Sequence, residues 1–170
     1  LPNIITKMNL PVMGPDGQEL ENSILNEGTI KAEGGEIVLK ARTAYDAIKR
    51  LDLSGRDTFA IYGQGPGGLS GTLFGAATGA RVIVVEPIAY RRELAKSLGC
   101  AVALDPREGD PVEAIYGLTH GEGADATLDC TGLPEPRTQS VRSTRIYGRA
   151  CLVGEGGETT FDVSRDIIHK

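Results

Sequence analysis

Between Tyr62 and Gly71 the chain reads YGQGPGGLSG, and Gly63, Gly65 and Gly68 keep the spacing G-x-G-x-x-G. Glycine weakens a helix or strand by about 0.5–1 kcal/mol relative to alanine, so such density needs a compensating role. A loop of this spacing between a strand and a helix can hold a pyrophosphate. The first glycine permits a tight turn, the second lets backbone approach the phosphates, and the third lets helix and strand pack closely. Pro66 and Gly67 complete the turn into the helix, where free N–H groups and the positive end of the helix dipole would meet the anion. About 20 residues further on, such a site needs an acid at the end of the next strand to accept bonds from a ribose. Glu86 stands there, closing RVIVVE. A carboxylate at that point favours NAD and repels the 2'-phosphate of NADP, with each charge-assisted hydrogen bond contributing about 1.5–3 kcal/mol. Arg91 and Arg92 follow, and an arginine can hold a 2'-phosphate; beside Glu86 they read as lying over the ribose or in solvent. The expected ligand is a dinucleotide, NAD in preference to NADP.

Other chemistry-bearing residues are sparse. His120 in LTHGEGAD and His169 near the carboxyl end read as solvated, and the pairs Asp105/Asp110 and Asp125/Asp129 read as caps at strand and loop ends. No nucleophile and base pair emerges. Cys100, Cys130 and Cys151 are odd in number and lack CxxC spacing, which speaks against a disulfide framework or zinc knuckle and for a reducing cytoplasm. A net charge of -5 with no basic stripe argues against nucleic acid, and no run approaches the roughly 20 apolar residues of a membrane span. No signal peptide is visible. The start at Leu1 leads us to expect that the true amino terminus could lie further upstream.

The elements that would position the glycine loop alternate in period. TAYDAIKRL from Thr43 carries Ala44, Ala47, Ile48 and Leu51 on one helical face. TFAIY (58–62) is a short apolar strand, GGLSGTLFGAATGA a helix with Leu69, Leu73, Phe74 and Ala77 as its apolar face and Gly79 as its stop, and RVIVVE a buried strand. AYRRELAKSLG, closed by Gly99, is a helix and AVALD a weaker strand. Asp110, Pro111 and Glu113 give an N-cap, an N1 proline and an N3 acid for the next helix. ADATLDCTG, the helix EPRTQSVRSTRI and the strand RACLVGEGG (149–157) follow. This order predicts an α/β fold, a doubly wound parallel (Rossmann) sheet of five or six strands with its crevice at the strands' carboxyl ends. Residues 1–42 form a separate, β-leaning segment, in which Ile37 and Leu39 alternate with polar neighbours as strand residues do. The stretch 24–41 loosely resembles one coil of a β-helical domain, a fold that needs several repeats to bury itself. The domain expectation is therefore 1–42 and 43–170.

TAYDAIKR, GQGPGGL, VIVVEP, RRELAKSLG, DPVEAI, ADATLDCTG and GRACLVGEGG occur in the order and spacing of the coenzyme domain of the medium-chain, zinc-type alcohol, polyol and threonine dehydrogenases, and residues 43–170 resemble that domain. The resemblance implies that Thr43 faces the nicotinamide end, Gly65 to Gly68 the pyrophosphate, and Glu86 with Arg91 the adenosine ribose. It further implies that Thr131 and Gly132, with Cys130, line the crevice after the fourth strand, and that Val153, Gly154 and Glu155 approach the nicotinamide. For Cys130 and Cys151 a small buried residue is as good a reading as a contact. The resemblance also implies a zinc-bearing catalytic domain before the helix, and there this chain departs. The last metal-ligand position is Leu39, and no Cys or His precedes Cys100. Two alternatives stand, a piece of a longer dehydrogenase or a remnant with a different head; EIVLKA could supply a sixth strand. The expected activity is hydride transfer between nicotinamide and an alcohol or polyol, with this chain alone binding cofactor without turnover. Competing readings are a non-catalytic dinucleotide-binding module and an S-adenosylmethionine methyltransferase, the latter opposed by the proline in the loop and by the helix before the first strand. A homo-oligomer is possible on the same grounds.

Overall fold

The computed structural model describes residues 12–13, 19–20 and 36–170, with side chains from Arg42 onward. The chain divides into two compact units, 1–40 and 41–170. In the first, β1 (Val12–Met13) and β2 (Glu19–Leu20) form an antiparallel pair, Val12 opposite Leu20 and Met13 opposite Glu19. The expected β-helical coil over 24–41 lies outside the described residues as far as residue 35, and its remainder, 36–41, is helical.

The first helix, α1, runs Glu36–Leu51 and corrects one expectation. Ile37 and Leu39 sit in a helix, not in a strand, and EIVLKA supplies no sixth strand. Two apolar residues two apart are too short a run to fix a period, and the segment instead continues without a break into the helix that buries Ala44, Ala47, Ile48 and Leu51.

The second unit carries a five-stranded, all-parallel sheet: β3 (Thr58–Tyr62), β4 (Arg81–Val85), β5 (Val102–Leu104), β6 (Ala124–Asp129) and β7 (Thr144–Leu152), in spatial order β5-β4-β3-β6-β7. The helices between them are α2 (Pro66–Ala77), α3 (Ala89–Ser97), α4 (Pro111–Leu118) and α5 (Pro134–Ser143). Chain order reverses direction between β3 and β6, which makes the carboxyl ends of these two strands the switch point where such sheets take ligands. Residues of β3 are buried on both faces. Phe59 and Ile61 pack with Ile48, Leu51, Val82, Val84 and Leu128 on one side, while Ala60 and Tyr62 pack with Ile83, Val85 and Ile115 on the other. Continuous apolar runs follow from that double cover. The fully buried Tyr62 hydroxyl donates to Ser143 Oγ at 3.0 Å and Gln139 O at 3.3 Å, and burial lifts its pKa well above the usual tyrosine value.

Helix α2 departs from its expected face. Leu69 is buried, but Leu73 and Phe74 are half-buried and Ala77 is exposed; the side pressed to the sheet carries Gly68, Gly71, Thr72 and Gly75. A Cβ on Gly71 would lie 3.0 Å from Leu128, and one on Gly75 would lie 2.8 Å from Phe59. Phe74 packs against the core and edge-on to Tyr45 of α1, ring centroids 5.5 Å apart. Helix α4 begins as expected, Asp110 Oδ1 accepting from Val112 N at 2.8 Å. Strand β7 starts five residues before its expected start and carries an irregularity opposite β6: Ala124 pairs with Thr144, and Ala126 with Arg149. After β7 a π-helical turn, Val163–Ile168, is tied to α5 by the buried Asp166, which accepts from Arg142 Nε at 3.0 Å and Arg165 Nε at 2.9 Å. Among the described residues no helix is long and apolar enough to cross a membrane.

Candidate functional site

The glycine loop leaves β3 at Tyr62. Gly63 takes φ +85°, a left-handed conformation that favours glycine, and its N–H donates to Val85 O at 2.8 Å. A Cβ on Gly68 would lie 1.8 Å from Gly63 O, so the third glycine is demanded by the loop's own backbone. Gly65 differs. A Cβ there would meet nothing of the protein within 4 Å, and its φ of -70° and ψ of -173° suit any residue. What glycine keeps free at this position is therefore space outside the protein, as a close-lying ligand requires. Gly65 is also the N-cap of α2, where no side chain caps the helix and Pro66 takes the first position. The remaining first-turn amides are left for an anion. The loop thus fits a pyrophosphate.

Gln64, between the first two glycines, was not singled out from the sequence. It is fully buried: Oε1 accepts from Thr72 Oγ1 at 2.8 Å, Nε2 donates to Gly63 O at 3.1 Å, and its backbone N–H donates to Glu86 Oε2 at 2.6 Å. Glu86, only 2% exposed, also accepts from Ile88 N at 3.0 Å through Oε1. The strand-end acid therefore reaches back and ties the glycine loop to β4. Arg91 lies beside it, 3.9 Å from Oε2. Arg92 turns away from the acid's carboxylate, donating to the carbonyls of Glu86 and Pro87, both at 2.8 Å, and pairing with Asp105 at 3.0 Å. Asp105 is thus more than a cap: hydrogen bonds and charge from Arg107, then Arg92, hold its carboxyl well below the usual carboxylate range. Asp125 likewise pairs with Arg145 at 2.6 Å and accepts from Thr58 N at 2.8 Å.

Across the switch point, β6 ends in Asp129, fully buried. Its Oδ1 accepts from Thr131 N at 2.9 Å and Thr131 Oγ1 at 2.6 Å; its Oδ2 pairs with Arg137 Nε at 3.4 Å. The Asp129 carbonyl accepts from Val153 N and Gly154 N, each at 2.9 Å. The loops after β6 and β7 cross in contact, since a Cβ on Gly132 would lie 2.0 Å from Glu155 O, and one on Gly154 would lie 2.1 Å from Gly132 N. Thr131 in turn overlies Gly63, its Cγ2 only 2.7 Å from where a Cβ would stand. The structure so brings Gly63, Gly65, Gly67, Gly68 and Glu86 to the loop side of the crevice and Thr131, Gly132, Val153, Gly154 and Glu155 to the facing side. Cys130 underlies Gly67, 3.8 Å from a Cβ position there; it and Cys151 pack on the core, and burial pushes both thiols up. Thr43 lies in α1, exposed. His120 and His169 are exposed.

Zinc does not fit these residues. Leu39 lies within α1, and among the described residues no group of three or more His, Cys, Asp or Glu could hold a metal ion.

The chain is similar to known proteins over this same region. A threonine dehydrogenase of Pyrococcus horikoshii, named L-threonine 3-dehydrogenase, is 34% identical over 152 residues, covering 88% of this chain and 43% of its own. An Escherichia coli K12 protein described as an uncharacterized zinc-type alcohol dehydrogenase-like protein is 36% identical over 155 residues, covering 89% of this chain and 43% of its own. The chain thus spans less than half the length of these curated relatives. Among solved structures, the benzyl alcohol dehydrogenase of Acinetobacter calcoaceticus superposes with a TM-score of 0.70 at 32% identity, over 76% of this chain and 37% of that one. The 2R,3R-butanediol dehydrogenase of Bacillus subtilis superposes with 0.71 at 29% identity, over 82% and 40%. A zinc-binding dehydrogenase of Sinorhizobium meliloti 1021, described as putative and solved bound to NADP, gives 0.71 at 26% identity, over 76% and 40%. The profile of the zinc-binding dehydrogenases matches residues 68–170, more than half of the sequence, and the chain accordingly belongs to that family.

Proposed function

We propose that residues 43–170 are the NAD-binding domain of an oxidoreductase that moves hydride between nicotinamide and the carbon of an alcohol or polyol. The observation that carries this reading is the open space over Gly65 beside an uncapped helix start, with the Glu86 carboxylate at the next strand end. When bound, the nicotinamide supplies the hydride chemistry, and the protein supplies position. The first-turn amides of α2 hold the pyrophosphate. Glu86 and Arg91 hold the adenosine ribose, and the Thr131 and Gly154 loops set the far end. Thr43, on α1, would complete that end.

Preference for NAD is supported by the buried Glu86 carboxylate, which a 2'-phosphate would approach at an electrostatic cost. A specific observation favours the competing cofactor: the Arg91 side chain, 42% exposed and 3.9 Å from Glu86, offers a guanidinium at the rim, and a neighbour in fold holds NADP. Calorimetric titration with NADH and NADPH decides between them, tighter NADPH binding overturning our choice.

We further propose that turnover needs a catalytic domain beyond these residues, because positioning substrate against the nicotinamide can supply about 7–11 kcal/mol and the metal ligands of the resemblance do not fit here. Dinucleotide and an alcohol or polyol are then the partners, in the cytoplasm, with self-association left to sizing experiments. Following NADH absorbance with primary, secondary and polyol substrates, with and without added zinc, tests this; enzyme-dependent NADH formation by this chain would refute it. A non-catalytic dinucleotide-binding module makes the same binding prediction and differs only in the parent protein's turnover.

A further inference from the structure

We infer that Asp129 and Arg137 are positioning residues for the nicotinamide half of the dinucleotide, a role that rests on the dinucleotide reading above. Asp129 is fully buried at the end of β6, and Arg137, from α5, has a side chain only 12% exposed. Between them they hold the turn at Thr131 and the loop that follows β7. The Asp129 carboxylate fixes the Thr131 turn through both its amide and its hydroxyl, and the Asp129 backbone carbonyl accepts from Val153 N and Gly154 N at the start of the following loop. Arg137 takes the other side of that loop, Nη2 donating to Gly154 O at 2.8 Å, Nη1 to Gly157 O at 2.9 Å and to Thr159 Oγ1 at 3.1 Å. The guanidinium thus donates to two carbonyls, one hydroxyl and one carboxylate.

The placement is one-sided. None of the side-chain hydrogen bonds of Asp129 or Arg137 reaches the glycine loop after Gly63, Glu86 or Arg91, which take the pyrophosphate and adenosine ribose; contact with that half is made by neighbouring residues, Thr131 packed on Gly63 and Cys130 beneath Gly67. Loosening the pair therefore loosens the half of the crevice that faces the nicotinamide and leaves the adenosine half in place. A carboxylate that accepts from the amide and the hydroxyl of one turn while pairing with a planar guanidinium fork is suited to this, because the geometry is fixed at several points at once. Lysine cannot reproduce the fork.

The test is the ratio of affinities for NADH and ADP, since ADP reports the adenosine half alone. Arg137→Lys and Asp129→Asn are each titrated with both ligands after circular dichroism has verified the fold; Arg137→Lys, keeping charge and stem, guards against a collapse of Asp129→Asn. We expect NADH affinity to fall about tenfold, a loss of about 1.4 kcal/mol, while ADP affinity stays within about twofold. Equal losses for both ligands would show a general structural role and overturn the inference, as would no loss for either. If the unmodified chain binds neither NADH nor ADP, the dinucleotide reading fails and this inference fails with it. If it binds both and only the variants' selectivity is unchanged, the dinucleotide reading survives and the positioning role does not.

Discussion

The two sides of the crevice are built by opposite means. On the β3–β4 side the work is done by side chains that are missing: Gly63 turns, Gly68 lets backbone touch backbone, and Gly65 leaves an opening. On the β6–β7 side it is done by a buried charge pair, Asp129 with Arg137, which gathers loops whose positions no local rule dictates. The comparison separates two ways of making a rigid site. A cradle of glycines is set by sterics within a few consecutive residues, whereas a carboxylate–guanidinium clamp depends on segments distant in sequence meeting correctly.

The comparison can be sharpened first within the glycines themselves. Gly68→Ala places a Cβ 1.8 Å from Gly63 O, and should destabilise the fold by about 3 kcal/mol or more, measured by urea denaturation. Gly65→Val should leave the urea midpoint within about 0.5 kcal/mol and yet weaken NADH binding by about 100-fold, because its branched side chain fills only the ligand's approach. Should both variants lose stability alike, the distinction between a structural and a ligand-facing glycine fails. Glu86→Ala removes the acceptor of Gln64 N and Ile88 N, so the loop loses its tie to β4. NADH affinity should fall about tenfold and the margin over NADPH should narrow, both readable from calorimetric titration.

A smaller effect concerns the buried charge at the other end of the molecule. Hydrogen bonds from Arg142, then Arg165, hold the Asp166 carboxyl well below the usual carboxylate range. Its folded pKa lies below the unfolded value of about 3.9, so its contribution to stability is complete above that value and is lost as pH falls toward the folded one. Arg142→Gln should therefore move the acid-unfolding midpoint, followed by circular dichroism, upward by about half a pH unit. Smallest is His120→Gly, which relieves a non-glycine residue held at φ +56° in an exposed turn and should stabilise by about 0.5 kcal/mol in the same urea assay. A loss of stability there would mean that the imidazole has a partner in solution.

How much of this could be read in advance follows the same division. The order of strands and helices, the G-x-G-x-x-G loop and Glu86 were legible because each is written in adjacent residues: an apolar run, a glycine spacing, a strand end. Strand β3 and the start of α4 at Asp110 came out where local chemistry puts them. Leu39 and Ile37 were misread because two apolar residues two apart are too few to fix a period, and only the uninterrupted run into the helix over Ala44 to Leu51 selects the helix. Gln64 was illegible because a polar residue in a glycine loop reads as solvated, whereas here three hydrogen bonds hold it inside. Asp129 read as a cap, and its turn bonds to Thr131 do resemble one; what the sequence could not display was Arg137 arriving from α5 and the 154–157 loop arriving from beyond β7. The start of β7 was placed late because Ile146, Tyr147 and Gly148 interrupt its pattern with the irregularity opposite Asp125.

Helix α2 lies on the sheet through Gly71 and Gly75, its backbone resting on the side chains of Leu128, Ile61 and Phe59, while Gly68 meets the Gly63 carbonyl. Bulky residues on the helix would add a second layer that repacks when it shifts, but here its bare backbone sits directly on close-packed strand side chains. The helix is in this sense bolted down along its length, and the depth of its amino-terminal amides below the rim is set by a single layer of strand side chains and, at Gly68, by backbone against backbone. Any added methyl along that line, even at Gly75, remote from the loop in sequence, would lift the mounting and with it the level at which an anion could rest.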